Sequence, residues 1–159
     1  MGKRFVTVLV GTLVAFAGCG GGGGAGAGVP LVSGSLTGEY KSQPFTPAFG
    51  VATVYQGQSL IALGDGPLNC ASPMRPNPPA GTNAVIELSA LDVGTYSMVF
   101  VDIIQNKGSF QGFGSNSGTV TITASTASSV AGTVMYNDID GATNLSYGIS
   151  GDFEVERCP

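Results

Sequence analysis

Few side chains in this chain can do covalent, redox or metal chemistry: three cysteines, Cys19, Cys70 and Cys158, and ten carboxylates, with no histidine. Without imidazole there is no Ser-His or Cys-His nucleophile pair and no base that titrates near neutral pH. Gly114-Ser115-Asn116-Ser117-Gly118 has the outline of a nucleophile elbow but carries Asn where the nucleophile belongs. Carboxylate pairs could still act as acid and base on a glycosidic bond. Asp152, Glu154 and Glu156, however, alternate along a half-exposed strand pattern, which puts them in solvent. Tryptophan, the common sugar-stacking platform, is absent. Asn137-Asp138-Ile139-Asp140-Gly141 places oxygen ligands before a glycine, as a calcium loop does. With Gly141 at the sixth loop position, the first and twelfth fall on Tyr136 and Tyr147, neither of them a carboxylate. Asp138 and Asp140 are therefore weak metal candidates, and a hairpin turn is the plainer expectation. No cofactor is expected.

The position of the cysteines depends on the elements around them. Lys3 and Arg4 precede an apolar run, Phe5 to Phe16, too short to span a bilayer, and Ala17-Gly18 lead into Cys19. That is the layout of a secretory signal. Phe16-Ala17-Gly18-Cys19 resembles the lipobox of bacterial lipoproteins, with Phe16 where Leu is usual. The resemblance implies cleavage before Cys19, a lipid on its thiol and, with Gly20 rather than Asp following, sorting to the outer membrane. Gly20 to Gly28 holds only Gly and Ala, a flexible tether with a reach of about 15–18 Å. It lacks the flanking strand, helix and Lys of a phosphate cradle. A lipidated Cys19 leaves Cys70 and Cys158 as an even pair in an oxidising compartment, where a disulfide is the natural reading. A metal pair or a reactive thiol is the alternative, although a zinc site would lack further Cys or His ligands.

Removal of the signal leaves four basic against ten acidic side chains, a net charge of −6. So acidic a chain is a poor partner for nucleic acid or anionic lipid. The expected organisation is a signal helix at 1–18, a lipidated cysteine and tether at 19–31 and one domain at 32–159, enough chain for one core.

That domain reads as strands throughout. Phe49 to Tyr55 and Gln58 to Leu63 flank Gln56-Gly57, a two-residue hairpin turn. Gly64 to Thr82 carries five prolines and reads as a long surface loop containing Cys70. Thr95 to Ile104 is apolar at nearly every position, predicting a strand covered on both faces. Gly114 to Gly118 predicts a turn between two short strands. Leu145 to Val155 alternates with Leu145, Tyr147, Ile149, Phe153 and Val155 pointing inward. The sum is an all-β fold of about eight strands, an antiparallel β-sandwich or a flattened up-and-down barrel. VSGSLTGEY, LGDGPLNC, DVGTYSMVF, SGTVTITAS with SSVAGTVMY, and ISGDFEVERC resemble a class of uncharacterised exported lipoprotein domains of Gram-negative bacteria. The resemblance implies an all-β fold with paired cysteines and brings no activity.

Three functions follow as expectations. The first is a non-catalytic, membrane-anchored surface module that binds another envelope or extracellular protein. The second is a carrier holding a small apolar ligand among Tyr96, Phe100, Phe110, Tyr136 and Phe153. The third is a carboxylate hydrolase using Asp138, Asp140, Asp152 and Glu154.

Overall fold

The computed structural model describes residue 31 and residues 33–70, 81–106 and 110–159. Cys19, the signal segment and the tether lie outside the described residues. The described chain forms nine strands: β1 Ser33–Tyr40, β2 Gln43–Phe45, β3 Phe49–Tyr55, β4 Gln58–Gly64, β5 Gly81–Leu88, β6 Gly94–Asn106, β7 Phe110–Ser125, β8 Ser129–Asp140 and β9 Leu145–Arg157.

Strands β3 to β9 follow one another as antiparallel neighbours, and β9 returns to β3, so a seven-stranded meander closes on itself as a barrel. The architecture is thus one sheet curled into a ring, not two stacked sheets. An odd number of up-and-down strands leaves the first and last running the same way. The closing pair must therefore be parallel, and it is: Val51 lies opposite Glu156 and Ala52 opposite Arg157. Those two pairs use only the end of β9. The rest of its edge is taken by β1, antiparallel from Ser33 opposite Glu154 to Tyr40 opposite Tyr147. Outside β1 lies β2, three residues long with Pro44 at its centre, which leaves the sheet margin short and poor in donors for further pairing.

Alternation along each strand sends one set of side chains into the ring. These form a continuous cluster that includes Ile61, Ile86, Val101, Ile122, Tyr136, Ile149 and Phe153. A second cluster, Val51, Leu60, Ala62, Val85 and Ile104, covers the outside of β3 to β6 beneath Leu68, Cys70 and Cys158. Strands β4 and β5 are therefore the ones buried on both faces.

Strand β6 departs from the expectation of two covered faces. The pairing register with β7 shifts between Ser97 and Val99 and again before Val101, and Met98 has φ of 55°. This bulge turns Met98 outward, where it is 77% exposed. Only Ile103 and Ile104 are buried in succession. Nor does the chain turn at Gly114 to Gly118, since β7 runs unbroken through them. A Cβ at Gly118 would lie 2.6 Å from a Val101 methyl, and one at Gly114 would lie 2.7 Å from the Phe100 ring. These glycines make room for β6 side chains within a strand.

The Gln56-Gly57 hairpin forms as expected, with φ of 51° and 81° at its two central residues. Both angles are left-handed, a conformation that Asn tolerates better than Gln. Gln56→Asn is expected to stabilise the domain by about 0.5 kcal/mol, read as a higher urea midpoint.

Candidate functional site

Polar groups converge where β7 and β8 part. The two strands pair from Thr119 opposite Met135 to Ser125 opposite Val130. Before Thr119, β7 continues along β6 alone, while β8 beyond Met135 continues along β9. Side chains bridge the resulting wedge. Ser115 Oγ donates a very short hydrogen bond to the Asp138 carboxylate, and Ser117 Oγ donates to the same oxygen at 3.2 Å. The two serine hydroxyls are 2.8 Å apart, and the Tyr136 hydroxyl lies 3.5 Å from Ser115 Oγ. The backbone N–H of Ile139 donates to the other Asp138 oxygen at 2.8 Å.

Aromatic and polar contacts close the same end. Phe113 of β7 stacks on Tyr147 of β9, with centroids 4.5 Å apart and planes 20° apart, and Tyr40 of β1 meets Tyr147 edge-on at 5.4 Å. Lys41 Nζ donates to Gln111 Oε1 at 2.5 Å. The first half of β7 is thereby tied across the opening to the β1–β2 turn, β8 and β9.

A serine on a carboxylate invites a catalytic reading, so the electrostatics of the pair matter. The hydrogen bond from Ser115, then those from the Ile139 N–H and Ser117, hold the Asp138 carboxyl below its usual range. A carboxylate so stabilised is a weaker base, and it accepts hydrogen bonds from the serine hydroxyls without deprotonating them. The Tyr136 hydroxyl is pushed up, chiefly by burial and further by the negative charge of Asp138, so it stays protonated at neutral pH. The arrangement is a hydrogen-bonded clasp.

The clasp gives a signed pH dependence. A carboxyl held below the unfolded value of 3.8 contributes stability that is present above that value and lost as pH falls through the folded one. The urea midpoint is expected to fall as the pH is lowered below about 4, and Asp138→Asn should flatten that part of the profile. Equal slopes in both proteins would show that Asp138 does not contribute to it.

Asp140 has a different role. Its carboxylate accepts from Thr143 Oγ1 at 2.6 Å and from the Ala142 N–H at 2.9 Å, capping the β8–β9 turn, and these bonds lower its carboxyl too. Asp138 lies on the inner side of β8 opposite Tyr147, and Asp140 closes the hairpin opposite Leu145. Among the described residues no group of three or more Cys, Asp or Glu side chains is placed to hold a metal. Asp152 and Glu154 accept hydrogen bonds from Ser35, at 3.4 Å, and Ser33, at 3.0 Å, across the β1–β9 seam, well apart from the clasp in register. The four carboxylates weighed for hydrolysis do not converge.

The proposed ligand aromatics also separate. Tyr136 and Phe153 lie in the packed interior, with Tyr96 at its margin and its hydroxyl donating to the Asp92 carbonyl at 2.8 Å. Phe100 lies outside, over Gly114. The side chain of Phe110 is outside the described set. Cys70 and Cys158 form the expected disulfide, with Cα atoms 5.4 Å apart.

On the outer surface, Thr37, Glu39, Pro44, Met135, Asn137, Gly148 and Ser150 line a groove of about 430 Å³ across β2, β1, β9 and β8. The sequence signal for it was faint: a glycine and a methionine at outward positions of alternating strands. Comparison with family models, with characterised proteins and with solved structures finds no match to this chain.

Proposed function

We infer that this chain is an exported, lipid-anchored and non-catalytic envelope protein whose barrel acts as an interaction module through its outer surface. The observation that supports this most is the filling of the ring: among the described residues, twenty-two buried side chains form one cluster, most of them from the strands of the ring itself. A barrel packed with its own side chains offers its exterior for recognition. The Cys70–Cys158 bridge is in keeping with an oxidising, non-cytoplasmic compartment. The Phe16-Ala17-Gly18-Cys19 sequence and the glycine tether supply the anchor in this reading.

The anchor and the module are tested together. A clickable palmitate analogue should label the protein in cells and hold it in the membrane fraction, and Cys19→Ser should abolish both. Photoreactive residues placed over the outer strands should then form specific adducts with an envelope protein. Labelling that survives Cys19→Ser would refute the lipid assignment, and an outer surface giving no adduct at any position would refute the module.

A further inference from the structure

The outer groove has the shape and charge to take one kind of partner. Two cross-strand rows build it. In the first, Met135, Ser150 and Thr37 lie side by side on β8, β9 and β1. In the second, Asn137, Gly148 and Glu39 do so, with Pro44 of β2 next to Glu39. Gly148 has no side chain between Asn137 and Glu39, so the second row is a trough with an amide at one end and a carboxylate at the other. Met135, 68% exposed, forms an apolar bank beside it. Two strand spacings separate Asn137 from Glu39, about 10 Å, the reach of one long side chain.

Its electrostatics are one-sided. The acids of β9 and β8 that bear hydroxyl partners, Asp152, Glu154, Asp138 and Asp140, are each hydrogen-bonded to Ser or Thr. Glu39 has no hydrogen bond or ion pair to another described residue. The described cations are committed elsewhere: Lys41 reaches Gln111, and Arg157 donates to Ser125 Oγ and the Thr126 carbonyl, both at 3.2 Å. A second copy docked face to face would set Glu39 and Asp152 against like charges. A lipid surface would meet rows of hydroxyls and acids.

We propose that this trough receives a lysine or arginine side chain from an extended, basic segment of another envelope protein. Its aliphatic stem lies over Gly148 beside Met135 and the Asn137 amide, and its charge meets Glu39, with Pro44 beyond. Long cationic side chains bind in this divided manner, stem on apolar surface and head on a polar group. Arginine fits better than lysine because its planar fork meets the Glu39 carboxylate with two parallel N–H donors. The proposal rests on the interaction-module reading and names the partner's chemistry.

The test uses the full chain carrying Cys19→Ser, exported, purified without reductant and labelled with ¹⁵N. The probe is an acetylated and amidated Ser-Thr-Arg-Thr-Ser peptide, alongside its citrulline counterpart, which keeps the shape and loses the charge. The arginine peptide should shift the amides of Glu39, Gly148, Asn137 and Met135 saturably, and the citrulline peptide should bind about fivefold more weakly. Glu39→Gln should lose the same factor, and Asn137→Lys, which supplies a cation in place, should block binding. Shifts centred on other residues, or arginine binding unchanged by Glu39→Gln, would overturn the proposal. Photo-crosslinking in cells separates it from the broader reading. Adducts from Val93 but none from Met135 would remove the trough and leave the module, whereas none from any outer position would remove both.

Discussion

Reduction of the Cys70–Cys158 disulfide should lower the unfolding free energy by about 4–5 kcal/mol, the value expected from closing a loop of this size in the unfolded chain. The bridged residues are 88 apart, and the loop between them contains β5 to β9. The native state has reason to lose stability as well. Cys158 follows the strand that closes the ring, and its N–H donates to the Ala52 carbonyl at 2.7 Å, extending a parallel pairing of only two residue pairs. On the other side of the bridge, Leu68 and Cys70 cover Val51, Leu60, Ala62, Val85 and Ile104. Release of Cys70 therefore frees the cover of the outer cluster and the end of β9 together. Urea unfolding with and without reductant measures the effect. Cys70→Ser, Cys158→Ser and the double variant should lose similar amounts, since each removes the same bond. A midpoint unmoved by reductant would mean that the parallel closure holds without the staple.

The parts of this fold that were legible in the sequence are those set by one strand at a time. The alternation of Tyr147, Ile149, Phe153 and Val155 placed them correctly inside, and all four are buried. The Gln56-Gly57 turn was readable from local backbone preference, and the cysteine pairing, across 88 residues, from the even pair that remains once Cys19 is set aside. What failed depended on a neighbour. Met98 looked like core because it sits among Val99, Phe100 and Val101, but the β6 bulge that exposes it is a mismatch of register with β7. Gly114 and Gly118 looked like turn glycines, although they are spaces for Phe100, Val99 and Val101. The clasp was hidden for a further reason. Ser115 and Asp138 are 23 residues apart, on strands that no longer pair where these side chains meet, so no periodicity connects them. The groove is a property of four strands at once, and sequence alone does not place Gly148 beside Glu39.

Phe153→Ala is expected to cost about 4–5 kcal/mol, the upper part of the range for removing a buried aromatic side chain. Phe153 is 3% exposed, inside the ring, and its neighbours in the sheet explain the size of the loss. Opposite it on β8 is Gly132, and opposite it on β1 is Gly34. The Phe153 ring thus has no side chain directly opposite it on either neighbouring strand, and the space it leaves has no paired side chain to relax into it. Larger residues at the flanking positions offer no rescue. A Cβ at Gly132 would lie 2.1 Å from the Thr121 carbonyl oxygen, and one at Gly34 would lie 2.4 Å from that of Asp152. Gly132→Ala combined with Phe153→Ala should therefore be less stable than Phe153→Ala alone. Phe153→Leu, which keeps most of the volume, should cost about 1.5 kcal/mol, and Met135→Ala on the outer face should stay within about 0.5 kcal/mol of the parent. Chemical denaturation of the four variants gives the ordering. If Phe153→Ala proved no worse than Phe153→Leu, the barrel interior would be loose enough to hold a small apolar guest, and the carrier function would displace the surface module as the better reading of this fold.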